Sequence, residues 1–273
     1  MYKKNKPLFL LGVGAQKAGT SWLHKQVSRS KFVDFGILKE YHIWDAIFVK
    51  HCNHWLVDEP NKKPVIDSLR YLMQKNKGTY ETYFAGLVND KIKLTGDITP
   101  SYAALDKNQF NEIKLRLESY GFQVKVVFLM RDPVLRNWSA LRFYNRQKIR
   151  NKNVTKSELV KKFEDFYKSE AVTDRVNYHK TVIALLDTFE KKDIFFSFYE
   201  ILFQERTIND LSSFLEINMS EVNSDERINA TESIELPNQT YDRCKEYFAE
   251  VYKFCENEFP QTISLWKKNI NKN

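Results

Sequence analysis

The stretch Leu8 to Leu23, LFLLGVGAQKAGTSWL, passes from an unbroken apolar segment into a glycine-bracketed loop with one lysine, then into hydroxyl residues that open a second apolar stretch. A short continuous apolar run is the pattern of a strand buried on both faces in a parallel sheet. The free N–H groups of a helix start, with the helix dipole behind them, favour an anion just beyond the carboxyl end of such a strand. Glycines at 12, 14 and 19 leave room for the backbone to approach that anion. The layout is a phosphate-type anion cradle.

Two common anion loops each fail here at one decisive residue. Gly14 to Ser21 reads G-A-Q-K-A-G-T-S, which puts Thr20 where the P-loop pattern G-x-x-x-x-G-K-[ST] needs its lysine. The dinucleotide pattern G-x-G-x-x-G, counted from Gly12, puts Lys17 at its last glycine. Lys17-Ala18-Gly19-Thr20-Ser21-Trp22-Leu23 instead resembles the 5′-phosphosulfate loop, K-x-G-T-[ST]-x-[LW], of a known enzyme family. These are the sulfotransferases that use 3′-phosphoadenosine 5′-phosphosulfate (PAPS) and release 3′-phosphoadenosine 5′-phosphate (PAP). The resemblance implies that residues 17–22 bind the donor.

Residues 124–146, VKVVFLMRDPVLRNWSALRFYNR, form a second strand-turn-helix unit about 110 residues downstream. Val124 to Met130 is strand-like, Asp132 suits an N-cap, and Pro133 suits the first helical position. Arg131 then stands at the strand's carboxyl end, the ligand side of an open parallel sheet. Ser139 follows about two turns into the helix. The pair resembles the family's 3′-phosphate motif, in which a guanidinium supplies charge and a fork of donors while a hydroxyl adds one directed bond.

Between these units, Lys39-Glu40-Tyr41-His42-Ile43-Trp44-Asp45 resembles the K-E-x-H-[FW]-[FW]-D segment of the heparan sulfate branch and its bacterial relatives. Gly96-Asp97-Ile98-Thr99-Pro100-Ser101-Tyr102 resembles that branch's G-E-x-[ST]-P-x-Y segment. The resemblance implies Glu40 as general base and His42 as its accessory, with Trp44, Thr99 and Tyr102 on the acceptor side. Lys17 would stabilise the charge that builds on the leaving phosphate. A sulfuryl group in flight carries one negative charge fewer than a phosphoryl group, so a lysine and backbone donors replace the metal that phosphoryl transfer needs. No metal is therefore expected. His51, Cys52 and His54 show none of the common metal-ligand spacings.

Two other classes compete with this reading. A small-molecule or nucleoside kinase with a variant P-loop would require magnesium, and it lacks its lysine here. A non-enzymatic nucleic-acid binder would use the basic stretch 133–150 and show a steep salt dependence, but it leaves Lys17 and its glycines unexplained. The expected partner is thus a small-molecule or saccharide acceptor, and neither a nucleic acid nor a membrane.

At 273 residues and 42% hydrophobic content, the chain can bury one large core, and no linker, repeat or low-complexity tract divides it. A single domain over residues 1–273 is expected. Lysine and arginine total 43 against 35 acids, for a net charge of +8, with arginines at 131, 136, 142, 146 and 150 gathered about the second motif. Such a surface suits anionic ligands. The start, MYKKNKPLFLLGVGA, imitates a secretory leader, but cleavage there would remove the first strand and its loop. Cys244 and Cys255, on one continuous helix, would lie about 16 Å apart, too far for a disulfide. A reduced, cytoplasmic setting follows.

Helices are expected over 107–119, from a capping box at Thr155 to Glu158, from Tyr178 through 189, near 208–216 and over 240–257, with a strand at Ile194 to Phe198. Alternating strands and helices give an α/β fold, a P-loop-like parallel sheet flanked by helices on both faces. No R-K-G tripeptide, the usual late nucleotide-closing loop of the family, follows residue 200. Arg175 to Tyr178 and Asn229-Ala230-Thr231 are the nearest substitutes.

Overall fold

In the computed structural model, which describes residues 6–59, 64–219 and 234–267, four parallel strands form one sheet in the order β2-β1-β3-β4. They are β1 (Leu8–Gly14), β2 (Leu94–Ile98), β3 (Gln123–Met130) and β4 (Ile194–Phe198). β1 is buried along its whole length, as its unbroken apolar run requires, and pairs with β2 on one side and β3 on the other. The loops leaving β1 and β3 therefore emerge side by side at the carboxyl edge of the sheet. That adjacency brings the two anion motifs together.

Helices flank the sheet, and the apolar stripes expected along the chain are the faces they bury. Lys107–Ser119 packs on β3, and a capping box between Asp106 and Gln109 starts it. Thr155 and Glu158 cap Lys156–Phe166 in the same way. Tyr178–Leu186 buries Tyr178, Val182 and Leu185, and Glu205–Leu215 covers β4. Phe9 anchors an aromatic cluster beneath β1 through edge contacts with Phe84 and Phe122. Among the described residues, no helix is long and apolar enough to cross a membrane.

Two expected helices are broken. The basic stretch 133–150 divides at Asn145 into Pro133–Tyr144 and Arg146–Arg150, because Asn145 leaves helical geometry (φ −99°) and its amide donates back to the Leu141 carbonyl at 2.9 Å. The segment 240–257 divides at Phe248 into Asn238–Tyr247 and Ala249–Glu258. Tyr241 and Tyr252 show the physical reason for the second break. On a straight helix these residues would stand about 16 Å apart, yet both hydroxyls donate to one oxygen of Asp132, at 2.9 and 3.0 Å. The break folds the two faces onto that buried carboxylate. Cys52, Cys244 and Cys255 are free and buried.

Asp132 also caps the helix Pro133–Tyr144 by accepting from Leu135 N–H at 2.8 Å. Glu200 accepts from the Asp132 N–H at 3.1 Å and from the Trp266 indole at 3.2 Å, and the Tyr178 hydroxyl donates to the Arg131 carbonyl at 2.9 Å. The carboxyl end of β3, where Arg131 sits, is thus clamped from three sides.

Candidate active site

The loop after β1 takes a backbone path that only a few residues favour. Lys17 has φ +68° and Gly19 has φ +99°, both in the left-handed region. A non-glycine residue held there carries a local strain of order 1 kcal/mol or more, which the surroundings must offset. A Cβ at Gly19 would meet the Leu202 side chain at 2.4 Å, so the position suits glycine alone. The helix Thr20–Val27 starts directly after it without a side-chain cap, and its first-turn N–H groups face the loop.

The second motif holds this loop in place. Arg131 Nη1 donates to the Lys17 carbonyl at 3.1 Å, Arg136 Nε donates to the Gln16 carbonyl at 3.0 Å, and Arg136 Nη2 donates to Gln16 Oε1 at 3.3 Å. Arg136 is fully buried, so it does not belong to the basic surface inferred from sequence. Its guanidinium is occupied with the loop backbone and with Asn137 Oδ1, and burial lowers its pKa to about 10.

Three stretches far apart in the chain line one cleft of about 480 Å³. Lys17 and Gly19 to Trp22 come from the first motif, Lys39, Glu40 and His42 from the third, and Arg131 with Ser139 from the second. Ala18 is buried beneath the loop. Arg142, Arg175, Tyr199, Phe203 and Trp55 also line the cleft. Of these, Arg142 was within reach of sequence reasoning, since it stands three residues after Ser139 on the same helical face. Arg175 belongs to the stretch 175–178 singled out as a late contact. Residues 229–231, the other late candidate, lie outside the described residues.

The cleft is strongly cationic. Lys17, Lys39, Arg131, Arg142 and Arg175 line it, against the one carboxylate of Glu40 among the described residues. Burial, with Arg131, Arg142, Arg146 and Lys39 nearby, lowers the Lys17 pKa to about 8. Its ammonium rests over the Phe143 ring, 4.2 Å from the centroid. Arg131 stacks on Tyr199 at 4.2 Å, while its Nε is buried without a hydrogen-bond partner among the described residues. Cations crowded together, with orphaned Nε donors on Arg131 and Arg175 among the described residues, are the arrangement that an anionic ligand would complete.

Glu40 is held by Lys39 and His42. Lys39 contacts Glu40 Oε1, and His42 Nε2 lies 3.4 Å from Oε2. Burial alone would raise the Glu40 pKa, but the His42 hydrogen bond and the Lys39 charge outweigh it and hold the carboxyl at about 2. His42 Nδ1 pairs with Asp45 Oδ2 at 2.7 Å, and Ser101 Oγ donates to the same oxygen at 2.5 Å. Burial opposes charging of His42, yet the two flanking carboxylates raise its pKa. The imidazole also stacks on Trp55, with ring centroids 3.8 Å apart. The three-residue spacing of His42 and Asp45 is the sequence signal of this pairing.

 Three residues expected on the acceptor side are placed elsewhere. Trp44, Thr99 and Tyr102 are buried at 1%, 0% and 0% exposure, under the cleft floor, and only Pro100 and Ser101 of that segment reach the cleft. For Thr99 and Tyr102 the reason is Asp97. Its buried carboxylate accepts from Thr99 Oγ1 at 2.6 Å, Tyr102 at 2.6 Å, Tyr80 at 3.1 Å and the Tyr41 N–H at 3.3 Å. These groups form the platform that carries residues 41–43. His51 and His54 are not gathered either: His51 faces Asp174 at 3.5 Å, and His54 Nδ1 meets the His51 carbonyl at 3.1 Å. Among the described residues, no group of three or more histidine, cysteine or acidic side chains is placed to hold a metal ion.

Burial pushes the Asp97 carboxyl from 3.8 up to about 6 despite those four hydrogen bonds. The folded protein therefore holds this proton more tightly than the unfolded chain does. Its penalty on stability is full above pH 6 and shrinks as pH falls toward 3.8. Relative to wild type, Asp97→Asn should accordingly melt at a higher temperature near pH 7 than it does near pH 4. A melting-temperature difference that stays constant between those conditions would contradict this.

The sulfotransferase domain model matches residues 8–253. Among solved structures, a sulfotransferase from Alicyclobacillus acidocaldarius superposes with a TM-score of 0.63 at 18% identity, covering 97% of this chain and 100% of that one. That likeness is one of fold. The sulfotransferase domain of the Synechococcus PCC 7002 olefin synthase gives a TM-score of 0.46 at 14% identity, covering 91% and 97%. A mouse sulfotransferase complexed with PAP gives 0.44 at 11%, covering 95% and 88%. No curated protein sequence matches the chain.

Proposed function

This chain belongs to the sulfotransferase domain family, and from that membership we propose that it moves a sulfuryl group from PAPS to a hydroxyl or amine of a small-molecule or saccharide acceptor. The observation that carries the proposal is the convergence of Lys17 to Trp22 with Arg131 and Ser139 on one cationic cleft. The orphaned Arg131 Nε and the crowded cations fit a ligand with several anionic groups. When bound, PAPS supplies the sulfuryl group and its leaving phosphate. Residues Lys17 to Trp22 would hold the 5′ end, Arg131 and Ser139 the 3′-phosphate.

The roles of the remaining side chains follow from chemistry. Lys17 offers a proton-bearing cation where negative charge grows on the leaving oxygen. Glu40 takes the proton from the acceptor hydroxyl or amine, and His42 orients it. A saccharide acceptor is supported by the resemblance of residues 39–45 to the heparan sulfate branch. The half-buried Trp55 beside His42 would provide a flat apolar face for a sugar ring, and Phe203 also lines the cleft. Three free cysteines support a reducing, cytoplasmic setting.

Calorimetry with PAP, AMP, ATP and NAD tests the assignment. Wild type should bind PAP without divalent metal and well above AMP, because the 3′-phosphate engages Arg131 and Ser139. One charge-assisted bond to a desolvated anion contributes about 1.5–3 kcal/mol, so Arg131→Ala should narrow the PAP-to-AMP preference by roughly tenfold or more. If wild type does not distinguish PAP from AMP, Arg131 and Ser139 are wrongly assigned. Tight ATP binding that depends on magnesium would favour a kinase.

A further inference from the structure

Lys39 has one ammonium facing two parts of the site. Its Nζ contacts Glu40 Oε1, and it also donates to Ser21 Oγ at 3.1 Å and to Thr20 Oγ1 at 3.4 Å. An ammonium has three donors, so this set accounts for all of them. Two of its three acceptors are neutral hydroxyls in the loop read as the donor's phosphate site. The third is the carboxylate read as the general base.

The backbone at this point is pinned, which confines any rearrangement to side chains. The Lys39 carbonyl accepts from Ile98 N–H at 3.1 Å. Arg70 donates to the Glu40 carbonyl at 2.9 Å and to the Tyr41 carbonyl at 2.8 Å. Lys39 and Glu40 keep 20% and 35% of their side chains exposed, so both have room to turn. The flexible four-carbon stem of lysine lets the charge move while the main chain stays fixed.

An anion arriving at Thr20 and Ser21 offers Nζ a far stronger acceptor than either hydroxyl, because a charge-assisted bond is roughly twice as strong as a neutral one. It also competes directly with Glu40 for the same cation. We propose that Lys39 is a positioning residue shared between donor and base: it pairs with Glu40 in the donor-free protein and passes to the donor's phosphosulfate on binding. Glu40 is thereby released toward the acceptor only when the anionic 5′ end of the nucleotide occupies the loop at Thr20 and Ser21. This rests on the reading of residues 17–22 as the donor loop.

Crystals grown with and without PAP, together with calorimetry of PAP on Lys39→Met and Lys39→Arg, test the exchange. With PAP bound, Lys39 Nζ should lie within hydrogen-bond reach of the 5′-phosphate and more than about 4 Å from the Glu40 carboxylate. Lys39→Met, which keeps the stem and removes the charge, should bind PAP about tenfold more weakly, and Lys39→Arg should recover most of that loss. A Lys39 that remains on Glu40 in the PAP complex overturns the exchange, as does a Lys39→Met protein that binds PAP like wild type. Failure of wild type to bind PAP at all overturns the reading of the donor loop instead.

Discussion

Lys17→Ala is expected to lower the turnover of sulfuryl transfer by about 10²–10³ while weakening PAP binding much less, which is the signature of a donor used mainly in the transition state. The left-handed backbone at Lys17 points its side chain along the cleft wall, against Phe143. In the free protein that ammonium is largely buried with four cations near it, Arg131, Arg142, Arg146 and Lys39, so its proton is loosely held, with a pKa of about 8. Charge growing on a leaving oxygen reverses the balance and tightens the proton at the moment of bond breaking. A pH dependence follows with a definite sign. Above pH 8 the free protein loses this charge, so kcat/KM for the donor should fall there. In the donor complex, bound anions raise the lysine's pKa, so kcat should hold to higher pH. Full turnover in Lys17→Ala would remove this residue from the mechanism.

Much of this architecture can be read from local chemistry, because the informative signals were short and close in sequence. The buried run of β1, the Asp132-Pro133 helix start and the Thr155 to Glu158 capping box each specify their own conformation. The broken helices are different. Nothing in residues 240–257 alone says that Tyr241 and Tyr252 must meet on Asp132, more than a hundred residues earlier. Periodicity reports which faces are apolar and leaves open where a helix bends to satisfy a distant buried carboxylate.

The same limit applies to the site. Arg131, Arg136 and Arg142 are chemically alike in sequence, yet Arg131 stacks on Tyr199, Arg136 is buried against the Gln16 carbonyl, and Arg142 lines the cleft. Thr99 and Tyr102 look like ligand-facing polar residues after a strand, but the fully buried Asp97 claims both hydroxyls. A polar residue two or five positions from a buried acid is as apt to satisfy that acid as to meet a ligand. Tyr199, Phe203 and Trp55 carry no motif and reach the cleft only through the fold.

Glu40→Gln is expected to lower sulfuryl transfer by about 10²–10⁴, the usual contribution of general acid–base catalysis, with PAP binding and fold retained. Glutamine keeps the size of the side chain and loses its ability to accept a proton. The choice between Glu40 and His42 as base turns on their surroundings. His42 lies between Glu40 and Asp45, which raise its pKa and so favour the imidazolium form, the form with no lone pair to offer. Glu40 remains ionised at any ordinary pH, with its carboxyl held at about 2. That low value makes it a weak base while Lys39 and His42 grip it, so its strength depends on losing one of those partners. His42→Ala is the matched control. It removes one hydrogen bond from Glu40, which raises the carboxyl's affinity for a proton but frees its orientation, so transfer should fall less than in Glu40→Gln. If His42→Ala abolishes transfer while Glu40→Gln leaves it intact, the histidine is the base, and the arrangement around Asp45 must then be read as a device for orienting a neutral imidazole.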